Sequence, residues 1–542
     1  MVKRPKGTLE ELFPKAVGLF QAGKLTSAEK VCRKILTRHP GHGDTLNLYG
    51  MARAHAGNFQ SAVNFLQRAV KSNEANPAYH SNLGEILGAS GDFAAAKIAF
   101  DMALALQPDH VGHLSNLGTA NLHLGLWAEA VDCLTKATQI NPDDPSVLAR
   151  LGVALQETGD FEAASAAYQK AIAQGLVDPQ TYFNYGTTLS RLDDHDAALI
   201  TLRKAVDVGP NYQPAYRLMG NIYLKQGEYA DAAEALEKAA ELDPQDSKVL
   251  TDLGSALVGV EKYEEAIGVY QKLLSLNPKA SAHWADLAFA NLCAGHPAEA
   301  LTASNQGLNL KANDTSCLAF KSTALNHLDQ REEAAQLLDF DRLIYQHQFD
   351  APTGFGSIED FNQALFDHVK NHSSLKVSKL NRGLVAGQGT QELFEGEITP
   401  VLEAFQAMIH SAIDGYKAAV PVDPSHPFLI SQPAAVHVTC WATLFKSSGF
   451  LDTHFHPPGW LSGVYYPQLP DVVDADTDQH QGWIEFGRAY YRIGSEDSPP
   501  VRVVKPNPGL MILFPSYFGH RTIPFESIED RMSVAFDILP RT

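Results

Sequence analysis

Cysteine is scarce and scattered: five among 542 residues, at Cys32, Cys133, Cys293, Cys317 and Cys440, with no Cys-x-x-Cys pair. That argues against a disulfide framework and a thiolate zinc site, and it fits a reducing compartment. No run of about 18 apolar residues occurs, so no span of a membrane is expected. The first residues lack the apolar core of a secretory signal, which makes the cytoplasm the expected location. Excess positive charge is also missing. Lys+Arg number 43 against 62 Asp+Glu, a net charge of −19. Coating of nucleic acid or an anionic membrane by bulk charge is therefore not expected. Both parts of the chain share the imbalance, with 30 basic and 40 acidic residues before Leu343 and 13 and 22 from there on. At about 150 residues per domain, the length allows three to four domain-sized units.

What is present is periodicity. Gly50, Gly84, Gly118, Gly152, Gly186, Gly220 and Gly254 recur with a constant period of 34, continued by Ala288 and Ser322 and preceded by Ala16. Twelve residues after each stands an alanine, from Ala28 and Ala62 to Ala300 and Ala334. Proline closes many units (Pro40, Pro108, Pro142, Pro210, Pro244, Pro278), and a second glycine marks the turn inside most of them, as at Gly57 and Gly91. Small residues let two antiparallel helices approach, glycine ends the first helix, and proline starts or breaks the next unit. A helix pair cannot bury its apolar face alone, so neighbours must stack.

After about Tyr345 the period disappears. Residues 343–357 read as a connector, and 358–372 and 391–417 as helices. From Ala434 the pattern becomes strand-like: Val436, Val438, Cys440, Ala442 and Leu444 alternate with His437, Thr439, Trp441 and Thr443. Further strands are expected at 461–466, 482–491, 501–505, 509–514 and 531–538, with turns between them, which suggests an antiparallel sandwich or barrel. His454 and His456 are two apart, so at strand period they share a face. His520 follows the strand at 510–514, and Arg531 opens the last strand with Ser533 on its face. Three histidines in an open facial arrangement suit a catalytic metal, and an arginine fork suits a carboxylate.

The repeating pattern resembles the tetratricopeptide repeat family over residues 8–342, in ten units. The resemblance implies an α-solenoid superhelix whose groove takes a protein or peptide. Asn82, Asn116 and Asn184 stand two residues before the register glycine, a groove-facing place in that family, where Asp252 and Asp286 hold equivalent positions. An asparagine there can pair with a peptide backbone amide, or it can be a consensus helix residue satisfied locally.

The stretches HFHPPGWLSGVYY (454–466), GLMILFPSYFGH (509–520) and RMSVAF (531–536) resemble Fe(II)/2-oxoglutarate-dependent oxygenases, in a subfamily with an H-x-H-P and L-S-G-V-Y-Y motif. The resemblance covers 430–542 and reaches weakly back to 358. It implies an α+β double-stranded β-helix, or jelly roll, over 358–542. By the same resemblance His454, His456 and His520 hold Fe(II), and Arg531 and Ser533, assisted by Tyr466, hold the distal carboxylate of 2-oxoglutarate, with ascorbate as a reductant. The implied activity is hydroxylation of a side chain in a protein substrate, with neither nucleic acid nor membrane as partner.

Two departures stand out. Gly459 replaces the subfamily's serine and is expected to open the pocket mouth. His456 stands where most of the superfamily has a carboxylate, so it either ligates iron or lies behind the ligands, and Asp452 is an alternative ligand. His410, His437 and His480 read as ordinary surface or core histidines, and Trp441, Trp460 and Trp483 as core. The acidic stretch 471–478 reads as a solvated loop. Two rival readings remain: a non-catalytic scaffold, and a three-histidine dioxygenase that does not use 2-oxoglutarate.

Overall fold

In a computed structural model, which describes residues 7–377, 384–385, 387–396, 398–446, 448–457, 459–474, 479–488 and 501–541, ten helix pairs follow one another. Their first helices begin at Leu9, Gly43, Pro77, Val111, Pro145, Pro179, Gln213, Ser247, Ser281 and Thr315, in the constant register of the sequence repeat. Aspartate side chains cap many of them, for example Asp144 accepting from the Ser146 and Val147 amides, and such a cap is worth about 1 kcal/mol. Pro77, Pro145 and Pro179 occupy the first turn, where a missing N–H costs nothing.

The two glycine classes do different work. Gly57, Gly91, Gly125 and Gly159 have φ of +71° to +87° and end the first helix of their pair. The register glycines lie inside that helix, against a large side chain of the second helix. A Cβ at Gly84 would come 2.6 Å from Phe100, and one at Gly118 2.6 Å from Leu134. The alanines twelve residues on, from Ala28 to Ala300, are wholly buried. Small residues thus set the interhelical spacing.

By contacts the chain divides into two compact units, Met1–Ile222 and Tyr223–Thr542. The second unit carries the sheet domain, with strands β1 (Tyr345–Gln348), β2 (Lys376–Val377), β3 (Leu384–Val385), β4 (Gln388–Gly389), β5 (Val436–Phe445), β6 (Phe450–Leu451), β7 (Leu461–Gln468), β8 (Ile484–Phe486), β9 (Arg502–Val504), β10 (Leu510–Pro515), β11 (His520–Thr522) and β12 (Arg531–Pro540). A seven-stranded sheet runs β1-β10-β7-β12-β5-β4-β2, beside a three-stranded sheet β11-β8-β9 and the pair β3-β6, all antiparallel. This is the antiparallel sheet domain expected of the oxygenase-like jelly roll.

Three local expectations change. Tyr345–Gln348, within the segment read as a connector, is the edge strand β1. The second helix starts at Pro400 rather than 391, because proline is favoured in a first turn and disfavours α-conformation in the residue before it. The tenth helix pair is not separate from the sheet domain. Leu318, Leu325, Leu337 and Leu338 share one apolar core with Phe361, Phe405, Tyr465 and Phe536.

Candidate functional site

His454 and His456 are not on a strand. They lie on the irregular segment between β6 and β7, anchored where His454 and His520 exchange backbone hydrogen bonds of 3.1 and 2.9 Å. The His456 amide donates to the Ser516 carbonyl at 2.9 Å, fixing the other end. The convergence expected from strand alternation is thus reached by bridging to the β10–β11 segment. One ligand nitrogen from each of His454, His456 and His520 lies within 4.8 Å of the others.

Second partners orient all three rings. Nδ1 of His454 lies 2.7 Å from the Asp452 carbonyl, Nδ1 of His520 lies 3.0 Å from the Phe518 carbonyl, and Nδ1 of His456 lies 2.9 Å from Oδ2 of Asp537. An oxygen acceptor at Nδ1 requires the proton there and leaves Nε2 with a free lone pair, the state a metal ligand needs. Nε2 of His456 is buried and has no hydrogen-bond partner among the described residues. Burial, and then His454 and His456, hold the His520 pKa well below the usual histidine value, so the His520 ring is neutral. The donor set fits a divalent cation such as Fe(II).

Arg531 is 1% exposed. One of its nitrogens donates to the Gly482 carbonyl at 3.2 Å, while Nε and Nη1 have no partner among the described residues. The rings of Phe445, Tyr466 and Phe525 surround the guanidinium, their centroids 5.6 to 5.9 Å away. Burial lowers the Arg531 pKa, and burial lifts that of Tyr466 to about 12 against the opposing pull of Arg531. A buried cation with unused donors is costly unless an anion completes it, and a carboxylate matches the fork. Ser533 is buried one step along the same face, opposite Thr443.

Other expected residues fall elsewhere. Gly459 opens no pocket mouth: it is buried, and a Cβ there would meet Ser516 at 3.1 Å, because the Ser516 hydroxyl donates to the Gly459 carbonyl. Asp452 turns its carboxylate to the Thr453 amide at 2.7 Å and is not part of the triad. Trp441 is not simply core, since it stacks on His456 at 5.5 Å with planes 13° apart, whereas Trp460 packs between Tyr416 and Phe428. His410 and His437 are exposed. Residues 475–478 of the acidic stretch lie outside the described residues.

In the array, the Asn82 amide donates to Asn47 at 3.0 Å, Asn116 donates to Glu85 at 3.1 Å, and Asn184 accepts from Gln180 at 2.8 Å. Asp286 lies 3.7 Å from His283, and Asp252 is also partnered. Each of these residues therefore has a partner.

Two features escaped the sequence reading. Asp537 was visible in principle, since it continues the face of Arg531 and Ser533 along β12. Contacts from the tenth repeat had no local signal. Thr315 donates to the Pro457 carbonyl, Phe320 meets Phe455 edge-on at 5.4 Å, and the buried Tyr517 hydroxyl donates to the Leu337 carbonyl at 2.5 Å.

Residues 439–537 match the family described as "Putative 2OG-Fe(II) oxygenase". Residues 217–281 and 251–309 match the tetratricopeptide repeat, and 36–243 match the C-terminal domain of cilia and flagella-associated protein 70. Solved structures similar to the chain include MamA, at 27% identity over 31% of this chain and 97% of that one, TM-score 0.29. Another is YrrB, titled a repeat protein with an unusual peptide-binding site, at 21% identity over 34% and 95%, TM-score 0.31. A third is the C-terminal part of a repeat protein from Cytophaga hutchinsonii, at 18% identity over 44% and 99%, TM-score 0.38. No curated protein matches the chain. The chain thus carries tetratricopeptide repeats and, C-terminal to them, a domain that matches the 2OG-Fe(II) oxygenase family.

Proposed function

We propose that the protein is an Fe(II)- and 2-oxoglutarate-dependent dioxygenase that hydroxylates a side chain of a protein or peptide. In this reading residues 8–342 present the polypeptide, and 358–542, with the edge strand β1 contributed by 343–357, form the catalytic domain. The observation that carries it is the pairing of two incomplete sites in one small domain: three imidazoles whose ligand nitrogens lie within 4.8 Å of one another, and a buried guanidinium whose Nε and Nη1 have no partner among the described residues.

His454, His456 and His520 would hold Fe(II), and Arg531 with Ser533 and Tyr466 would hold the distal carboxylate of 2-oxoglutarate. When bound, the two supply the oxidising chemistry: dioxygen is consumed, 2-oxoglutarate becomes succinate and carbon dioxide, and a substrate C–H becomes C–OH. The chain's part is positional. The Asp452, Phe518 and Asp537 oxygens keep the protons on Nδ1, Arg531 orients the co-substrate by charge, and the aromatic wall around it excludes water. Unused donors on a buried Arg531 disfavour a three-histidine dioxygenase without 2-oxoglutarate. Ascorbate serves as reductant, and the cytoplasm as the setting.

For the substrate, Asn82, Asn116 and Asn184, with Asp252 and Asp286 nearer the catalytic domain, are the residues we assign to peptide contact. A peptide would exchange bonds with their present partners, so each site contributes at most about 0.5–1.5 kcal/mol. The test is succinate formation by iron-loaded protein, with and without a host lysate, repeated with Asn82, Asn116 and Asn184 changed to alanine. Succinate that lysate raises in the parent but not in the triple variant supports substrate delivery by the array. Absence of succinate throughout favours the non-catalytic scaffold.

A further inference from the structure

The three ring orientations are not equivalent. His454 and His520 donate to neutral main-chain carbonyls only two residues away, at Asp452 and Phe518. His456 donates instead to a carboxylate 81 residues away in sequence. That carboxylate is built in. Asp537 is 8% exposed, sits inside β12 directly opposite Ser462 on β7 and Thr439 on β5, and accepts at its other oxygen from the Ser462 hydroxyl at 2.7 Å. Among the described residues no lysine or arginine pairs with it, and its partner is the His456 ring. A buried carboxylate without a cation is costly, so a positive charge is expected close by. Three neutral imidazoles carry no charge, whereas two imidazoles and a carboxylate carry one negative charge. Asp537 puts that charge back one hydrogen bond behind the ring.

We propose that Asp537 is a positioning residue that acts through His456, so that the His456–Asp537 pair functions as the anionic third ligand of the metal site. The inference rests on the metal-binding reading above. A hydrogen bond to a carboxylate makes the imidazole a stronger donor at Nε2, and its stacking against Trp441 keeps the ring in the plane that Asp537 needs. The site thus recovers the charge balance of a carboxylate-containing triad while keeping three nitrogen donors.

The full-length protein is titrated anaerobically with Fe(II), and with Co(II) as an absorbing probe, against a competing chelator. Asp537→Asn can still accept from Nδ1 and meet Ser462, but it has lost the charge. Expected is a roughly 10- to 100-fold weaker affinity for both ions and a shifted Co(II) absorption band, with an unchanged melting temperature of the metal-free protein. His456→Asp moves the charge into direct contact. In that background Asp537→Asn should not weaken binding, since it removes a neighbouring like charge. Parent-like affinity of Asp537→Asn, or an equal loss in both backgrounds, overturns the proposal and leaves Asp537 as a holder of the ring. Should the single variant fail to fold, the His456→Asp pair with and without Asp537→Asn decides: weaker binding in the double variant overturns it. His454→Ala and His520→Ala run alongside. If these two also bind like the parent, the metal site itself is misplaced, which is a separate failure.

Discussion

His454 and His520 hold each other in place: each donates its amide to the other's carbonyl, at 3.1 and 2.9 Å, and their ring centroids are 4.4 Å apart. Two ligand candidates remote from each other in sequence are therefore fixed by main chain alone, which side-chain substitution leaves intact. His520→Ala should lose Fe(II) binding while the His454–His520 backbone bridge persists. Iron content after loading, together with amide exchange at positions 454 and 520, checks this. Full iron occupancy in the variant would contradict the assignment.

Arg531 gives a prediction with opposite signs for binding and stability. Arg531→Ala should weaken 2-oxoglutarate by about ten- to several-thousandfold, the equivalent of roughly 2–5 kcal/mol, and leave iron affinity nearly unchanged. Arg531→Met fills a similar volume without burying a charge. Its ligand-free melting temperature should match or exceed that of the parent, because the parent buries donors that have no partner. Thermal shifts with and without 2-oxoglutarate measure both effects.

The tenth repeat should be inseparable from the sheet domain. Leu318, Leu325, Leu337 and Leu338 lie in its core, and Thr315 and Phe320 touch the residues flanking His456. A chain starting at Leu343 is expected to be insoluble or unable to bind iron. Tyr517→Phe, which removes only the bond to Leu337, should cost about 0.5–1.5 kcal/mol in denaturant unfolding. A soluble, iron-binding fragment from Leu343 would refute the shared core.

Repeat spacing is testable at one glycine. Gly84→Val places a Cβ within 2.6 Å of Phe100 and should destabilise the third repeat by about 1–3 kcal/mol. Replacing Phe100 by alanine in the same chain should recover part of that loss. Denaturant melts of the four proteins form the cycle.

Acid should weaken the metal-free protein. The folded pKa of His520 lies below its unfolded value of about 6.5, through burial and then the neighbouring histidines. The folded state then binds fewer protons than the unfolded chain. Stability from this group is complete above about pH 6.5. It falls below that by up to about 1.4 kcal/mol per pH unit until the folded pKa is reached. His520→Ala should flatten this slope in melts between pH 7 and 5.

How much of this was legible in sequence differs by element. The array was, because a constant period samples every structural constraint ten times. The triad was legible as a set, although its backbone was not. His454 and His456 were expected on a strand, yet a bridge to His520 and a bond to Ser516 arrange them. Alternation along β12 carried Arg531 and Ser533, and two further steps reach Asp537, whose partner His456 is remote in sequence. Gly459 could not be read from a motif alone, since Ser516, which lies well beyond the motif in sequence, fills the space a serine side chain would need. The shared core of the tenth repeat was hidden for a similar reason. Apolar faces of repeats look alike whether they meet another repeat or a sheet.

The most direct measurement is succinate produced from 2-oxoglutarate by the full-length protein, followed with Fe(II) present and with Fe(II) chelated, in the parent, His520→Ala and Arg531→Ala. Expected is iron-dependent succinate in the parent, none in His520→Ala, and, in Arg531→Ala, turnover recovered only at far higher 2-oxoglutarate. Succinate formation that ignores iron, or that survives both substitutions unchanged, would contradict the catalytic assignment.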